Sequence, residues 1–270
     1  MAQERRGAAG RGAGGRRGDG RPRPRTGQDR GDRGDRPART PRSADQRRYD
    51  GPPLPEDITG RELPAPVRSQ LKSLPEKLAQ RVARHLVAAD RALDSDPQTA
   101  YQHALAARAR AGRLAVVREA VGEAAYNAGE YAEALTELRA ARRMNGAVDY
   151  VPMMADCERA LGRPERALTL AREVDRERLP AEQRAELVIV EAGARRDRGE
   201  VDAALRLLEG AHLLSHSREP WLPRLRYVYA DTLVEAGRND DAVAWFHRTE
   251  AADPHHLTDA VQRAAELERG

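Results

Sequence analysis

Four glycines recur in one short phrase, and that phrase constrains the architecture more than any other feature of the chain. Gly129 stands in Tyr126-Asn-Ala-Gly-Glu-Tyr-Ala-Glu-Ala-Leu, Gly162 in Leu161-Gly-Arg-Pro-Glu-Arg-Ala-Leu, Gly199 in Arg198-Gly-Glu-Val-Asp-Ala-Ala-Leu and Gly237 in Ala236-Gly-Arg-Asn-Asp-Asp-Ala-Val. An alanine follows each glycine five residues later, at Ala134, Ala167, Ala204 and Ala242. A helix ending on a left-handed residue needs glycine there, and a second helix starting within a few residues must cross the first closely. A small side chain at the crossing lets it do so. One period before Ala134 lies Ala100, and the separations along the series are 34, 33, 37 and 38 residues.

Composition agrees with packed helices. The chain has one Phe, two Trp and seven Tyr in 270 residues, so Ala and Leu must fill the core. Alanine loses no side-chain entropy in a helix. The net charge of +4 is uneven: residues 1–50 hold fifteen Arg against seven acids, a balance of +8 that leaves the remaining 220 residues at −4. Only Lys72 and Lys77 are lysines, a bias toward Arg expected of a high-GC bacterial genome as much as of phosphate binding. Cys157 is the lone cysteine, so no intramolecular disulfide is available and a reducing cytosol suits the chain. With neither a signal-peptide-like start nor a run of 18 apolar residues, a cytoplasmic protein without membrane contact is expected.

Residues 1–50 contain ten Gly and no Leu, Ile, Val, Phe or Trp, and are expected to be a disordered Arg/Gly-rich tail. Residues 51–74 form a Pro-rich linker, where Pro52, Pro53, Pro55, Pro64 and Pro66 should block regular structure while returning apolar residues dock on the first helices. From 75 to 270 the pattern is helical. Helices are expected near 76–94, 97–110, 114–128, 131–144, 148–161, 164–174, 181–198, 201–214, 220–236 and 239–251. A last one near 257–268 is read as a cap over the open end.

The repeat resembles the tetratricopeptide repeat family, whose unit is a helix-turn-helix of about 34 residues. The resemblance covers residues 76–254 and is fullest from Ala115 to Val148, where Gly122, Gly129, Tyr131, Ala134, Leu138 and Ala141 occupy the small and apolar positions. The Ala/Arg-rich style and Pro-rich entry are similar to those of uncharacterised actinobacterial repeat proteins. The likeness implies an all-α fold: a right-handed α-solenoid of about five helix pairs with a C-terminal capping helix.

It further implies a concave surface lined by the first helix of each pair. On the family frame its exposed stripe collects Val116, Glu119, Glu123, Tyr126 and Asn127, then Asp149, Asp156 and Arg159, then Glu186, Ile189, Arg196 and Asp197, and finally Arg224, Tyr227, Asp231 and Glu235. In the first unit the stripe begins with His85 and Ala89 and continues with Ala120, which does not make the carboxylate clamp that some family members use on chaperones. Acids outnumber bases by eight to three along this stripe, so it suits a protein or peptide segment of basic character. The alternative weight of solvated helix charges stands beside that reading.

The expected role is therefore a non-catalytic scaffold or adaptor. The alternative is an RNA- or ribosome-associated accessory factor, with the five Arg-Gly dipeptides of the tail making weak, salt-sensitive RNA contact. No catalytic nucleophile, cofactor loop or metal cluster stands out. His212 and His216 are four apart on an expected helix but have no third ligand in view, and Cys157 beside Met153 and Met154 is expected to be packing filler.

Overall fold

The computed structural model describes residues 51–215 and 219–269. The tail expected over 1–50 lies outside them, as does His216. Among the described residues there are twelve α-helices and no strand. We number them α1 (Ala65–Leu71), α2 (Glu76–Ala92), α3 (Pro97–Ala111), α4 (Ala115–Asn127), α5 (Tyr131–Asn145), α6 (Val151–Ala160), α7 (Pro164–Glu173), α8 (Ala181–Arg196), α9 (Val201–Glu209), α10 (Trp221–Glu235), α11 (Asn239–Glu250) and α12 (Ala260–Arg269).

The glycine phrase behaves as its chemistry demands. Gly129, Gly162, Gly199 and Gly237 all adopt left-handed φ, between 72° and 79°. After α4 the Gly129 N–H donates to the Tyr126 carbonyl at 3.0 Å and the Glu130 N–H to the Ala125 carbonyl at 2.8 Å. The same six-residue closure recurs from Arg163 to Glu158, Glu200 to Arg195 and Arg238 to Leu233, each at 2.9 Å. Two otherwise orphaned carbonyls per helix end are satisfied this way. The first hairpin has no such glycine; Asp96 instead accepts from the Thr99 N–H at 3.1 Å, and Pro97 opens α3 where its missing N–H costs nothing.

The crossing alanines Ala100, Ala134, Ala167, Ala204 and Ala242 are all buried, none more than 1 % exposed. At the α4–α5 crossing the approach is closer still. A Cβ placed on Gly122 would meet Leu138 at 2.5 Å, so only glycine fits.

Each helix packs on the next, and the first helices of successive pairs also touch, α2 on α4, α6 on α8 and α8 on α10. This stepwise contact pattern is that of an α-solenoid. Three buried glutamates tie its layers. Glu137 of α5 binds Arg108 of α3 at 2.6 Å and Arg118 of α4 at 2.8 Å. Glu158 of α6, with no exposed surface, binds Arg139 of α5 at 2.6 Å and Arg163 at 3.5 Å. Glu191 of α8 binds Arg176 and, at 3.1 Å, Arg195.

Several boundaries differ from the sequence expectation. Prolines do not keep 51–74 irregular, because Pro64 and Pro66 sit at the cap and first turn of α1, where helices accept them. The segment packs tightly: Ile58 is buried against Val87 and Ala88, Leu71 against Val82 and Leu86, and the Arg84 guanidinium donates to the Ile58 and Pro55 carbonyls at 2.7 and 2.9 Å. The helix expected over 201–214 stops at Glu209. Gly210 follows it, and His212 takes a left-handed φ of 58° that turns the chain and returns Leu213 to the core. The cap begins at Ala260, not 257, because the Leu257 and Thr258 N–H groups are taken by the Asp253 carboxylate at 2.9 and 2.8 Å. A 3-10 turn, Arg176–Arg178, was not foreseen. Ala260 and Ala264 of α12 bury into the core formed by α8 to α11. Among the described residues no helix is long and apolar enough to cross a membrane.

Candidate functional site

The face formed by α2, α4, α6, α8 and α10 divides into two chemically different regions. From α6 onward, arginines bridge neighbouring helices. Arg159 donates to Asp156 at 2.9 Å and reaches Asp197, just past α8, at 2.7 Å. Gly193 makes this reach possible, since a Cβ there would lie 2.8 Å from the Arg159 guanidinium carbon. Arg196 then spans from α8 to Asp231 at 2.8 Å and Glu235 at 2.5 Å on α10, while Arg263 of α12 binds the other oxygen of Asp231 at 3.0 Å. Arg224 of α10 returns to Glu186 of α8 at 2.7 Å. Every arginine of the expected stripe is consumed in this ladder. Tyr227 hydrogen-bonds Asp259, and that bond adds to burial in pushing its phenol up to about 12. Ile189, also expected on the stripe, lines a hollow with Arg224 and Tyr227.

At the junction of the regions the Tyr126 hydroxyl donates to Asp156 at 2.6 Å and packs edge-on to Tyr131. Asn127 turns back to its own helix, donating to the Glu123 carbonyl at 2.9 Å. Asp149 is exposed in the turn before α6.

The first region is built differently. Between α1, α2 and α4 lies a pocket of about 400 Å³ with apolar walls that include Leu63, Val67, Leu86 and Val116. Its rim carries Glu62, Asp90, Glu119 and Glu123. Asp90, Glu119 and Glu123 have no arginine partner among the described residues; Glu119 accepts from the Asn145 amide at 2.6 Å, and Glu123 from the Tyr150 hydroxyl. Burial, and then repulsion from Asp90 and Glu119, raise the Glu123 carboxyl above its ordinary range. Glu186 is raised as well, first by burial, but Arg224 opposes that rise.

Sequence reasoning found Val116, Glu119, Glu123, Ala89 and Ala120 of this pocket. It expected the apolar residues of 51–74 to dock on the first helices but gave Glu62, Leu63 and Val67 no place on this face, and it did not include Asp90 and Tyr150. It also misplaced His85, which is buried with its Nδ1 3.1 Å from that of His103 and points into the α2–α3 interface.

Residues 195–265, from the end of α8 through α12, match the family model of the tetratricopeptide repeat. Over that stretch the chain is similar to the tetratricopeptide repeat. No curated protein matches it. Repeats of this family are protein–protein interaction modules and are generally non-catalytic, which fits a face of helices more than a cleft of reacting groups. No group of three metal-ligating side chains comes together among the described residues. Cys157 is fully buried and its thiol is pushed up to about 12, first by burial and then by Asp156, so it is packing and not a nucleophile.

Proposed function

We propose that this protein is a non-catalytic scaffold or adaptor that holds a basic protein segment on the face formed by its first helices, anchored in the pocket between α1, α2 and α4. One observation carries the reading. Asp156, Asp197, Asp231, Glu235 and Glu186 of the face are bridged by arginine, whereas Asp90, Glu119 and Glu123 converge on an apolar pocket whose lining holds no cation. Three like charges held together oppose one another, and a guanidinium or ammonium entering between them relieves that repulsion. An Arg or Lys beside a bulky aliphatic side chain meets both parts of the site: the charge faces the rim and the apolar group enters the pocket.

The test is titration of a labelled short peptide of alternating Arg and Leu against the full chain and against Glu119→Lys/Glu123→Lys. An affinity loss of about tenfold or more is expected for the reversed pair, with the folded circular-dichroism spectrum retained. The milder Glu119→Gln/Glu123→Gln pair should fall between. Equal binding by all three proteins contradicts the proposal. The alternative of an RNA- or ribosome-associated factor rests on residues 1–50, outside the described residues.

A further inference from the structure

The opposite side of the repeats carries a surface of the other sign. Between the outer helices α5 and α7 runs a groove of about 600 Å³ lined by Arg139, Arg142 and Arg143 of α5 and Arg166 of α7, with Met154 and Leu170 as its apolar floor. Arg139 is held by the buried Glu158 at 2.6 Å. Arg142, Arg143 and Arg166 have no carboxylate partner among the described residues, although arginine on the inner face is paired throughout its second region. Glu173 is the single acid of the lining. Arg139 lies three and four residues before Arg142 and Arg143, so these charges share one helix face, where like charges three or four residues apart are mutually destabilising. The fold tolerates that repulsion while pairing only Arg139 with a carboxylate among the described residues.

We propose that this outer groove is a second docking surface, taking an acidic protein segment whose carboxylates pair with Arg142, Arg143 and Arg166 while an aliphatic side chain rests on Leu170 and Met154. The guanidinium fork suits carboxylates in a bidentate manner. The apolar floor favours a peptide over a nucleic acid. No aromatic side chain lines the groove for bases to stack on, so RNA would be held by phosphate attraction alone. The outer groove takes its segment whether or not the inner-face reading holds; where both hold, one molecule carries two chemically distinct segments at once.

The full chain is titrated with a labelled peptide of alternating Glu and Leu that bears a photoreactive group, and with a single-stranded RNA of the same charge. The comparison protein is Arg142→Glu/Arg143→Glu/Arg166→Glu, with Arg142→Gln/Arg143→Gln/Arg166→Gln as a milder variant that leaves the Arg139–Glu158 pair intact. Photo-adducts on residues 139–173 and an affinity loss of about tenfold or more in the reversed variant are expected, with the Arg/Leu peptide bound unchanged by both variants. Adducts confined to residues 1–50, equal affinity in wild type and both variants, or tighter binding of the RNA than of the acidic peptide would each overturn the proposal. If the reversed variant does not fold, the glutamine variant decides by the same readouts.

Discussion

The two regions of the inner face share one helical scaffold and use charge in opposite ways. From α6 to α12, Arg159, Arg196, Arg224 and Arg263 lace successive helices together and leave few free charges. Around α2 and α4, Asp90, Glu119 and Glu123 stand without such partners, over an apolar pocket that the segment before the repeats helps to close. The lesson is that counting charges along a stripe does not locate a site. Charges that span one repeat to the next are spent on holding the solenoid, and those left over are available to something else.

The largest effect should come from breaking the tie at the junction. Glu158 is wholly buried and is the carboxylate partner of Arg139 on α5 and of Arg163, whose side chains reach solvent, so Glu158→Ala removes both ties and the packing of the glutamate itself. A loss of about 3 kcal/mol is expected from the charge-assisted hydrogen bonds and the cavity the side chain leaves. Urea denaturation should show it, and a transition that separates into two steps would mark the point where the regions part.

A comparable effect distinguishes the first region by pH. His85 is buried, and burial, followed by the neighbouring His103, then Arg110, Arg81 and Arg84, lowers its imidazole from 6.5 to about 4; burial also lowers His103. The folded state therefore keeps these rings neutral while the unfolded chain binds protons. Stability should be level above pH 6.5 and fall as pH drops from 6.5 toward 4, by about 3 kcal/mol for His85. Hydrogen exchange at pH 7 and pH 5 should show α2 and α3 loosening, with α8 to α11 less affected. His85→Phe should flatten that dependence.

How much of this was visible in the sequence follows from what each residue must do. The glycines and crossing alanines were legible because each answers a local backbone or contact requirement that no larger residue meets. The pocket was not: the apolar residues of 51–74 signalled docking on the first helices, but where Leu63 and Val67 land is set by tertiary packing, which leaves no local signature. The ladder lay between these cases. Arg159 and Asp197 are 38 residues apart, Arg196 and Asp231 are 35 apart, and Arg224 and Glu186 are 38 apart. Opposite charges spaced by one repeat are a signal the sequence carried, and Gly193, which makes room for Arg159, is a second.

Backbone requirements should be alike in both regions. Gly129→Ala and Gly237→Ala place a Cβ on left-handed residues, with φ of 79° and 73°, in open surroundings. Each should cost about 1–2 kcal/mol, read as a shift in the thermal midpoint. Very different costs would show that the hairpins are not equivalent.

The smallest effect on stability belongs to Arg196→Ala. Its partners are partly exposed, so under about 1 kcal/mol should be lost. Asp231 and Glu235 would lose that partner, making the second region resemble the first. Affinity for the Arg/Leu peptide should rise a few-fold, measurable by anisotropy.

The central claim is that the inner face has one open region and one closed on itself. Hydrogen exchange of the full chain with and without the Arg/Leu peptide tests it most directly. The account predicts peptide-dependent protection in α1, α2 and α4, with α8 and α10 unchanged. Protection on α8 and α10, with α2 and α4 untouched, would contradict it.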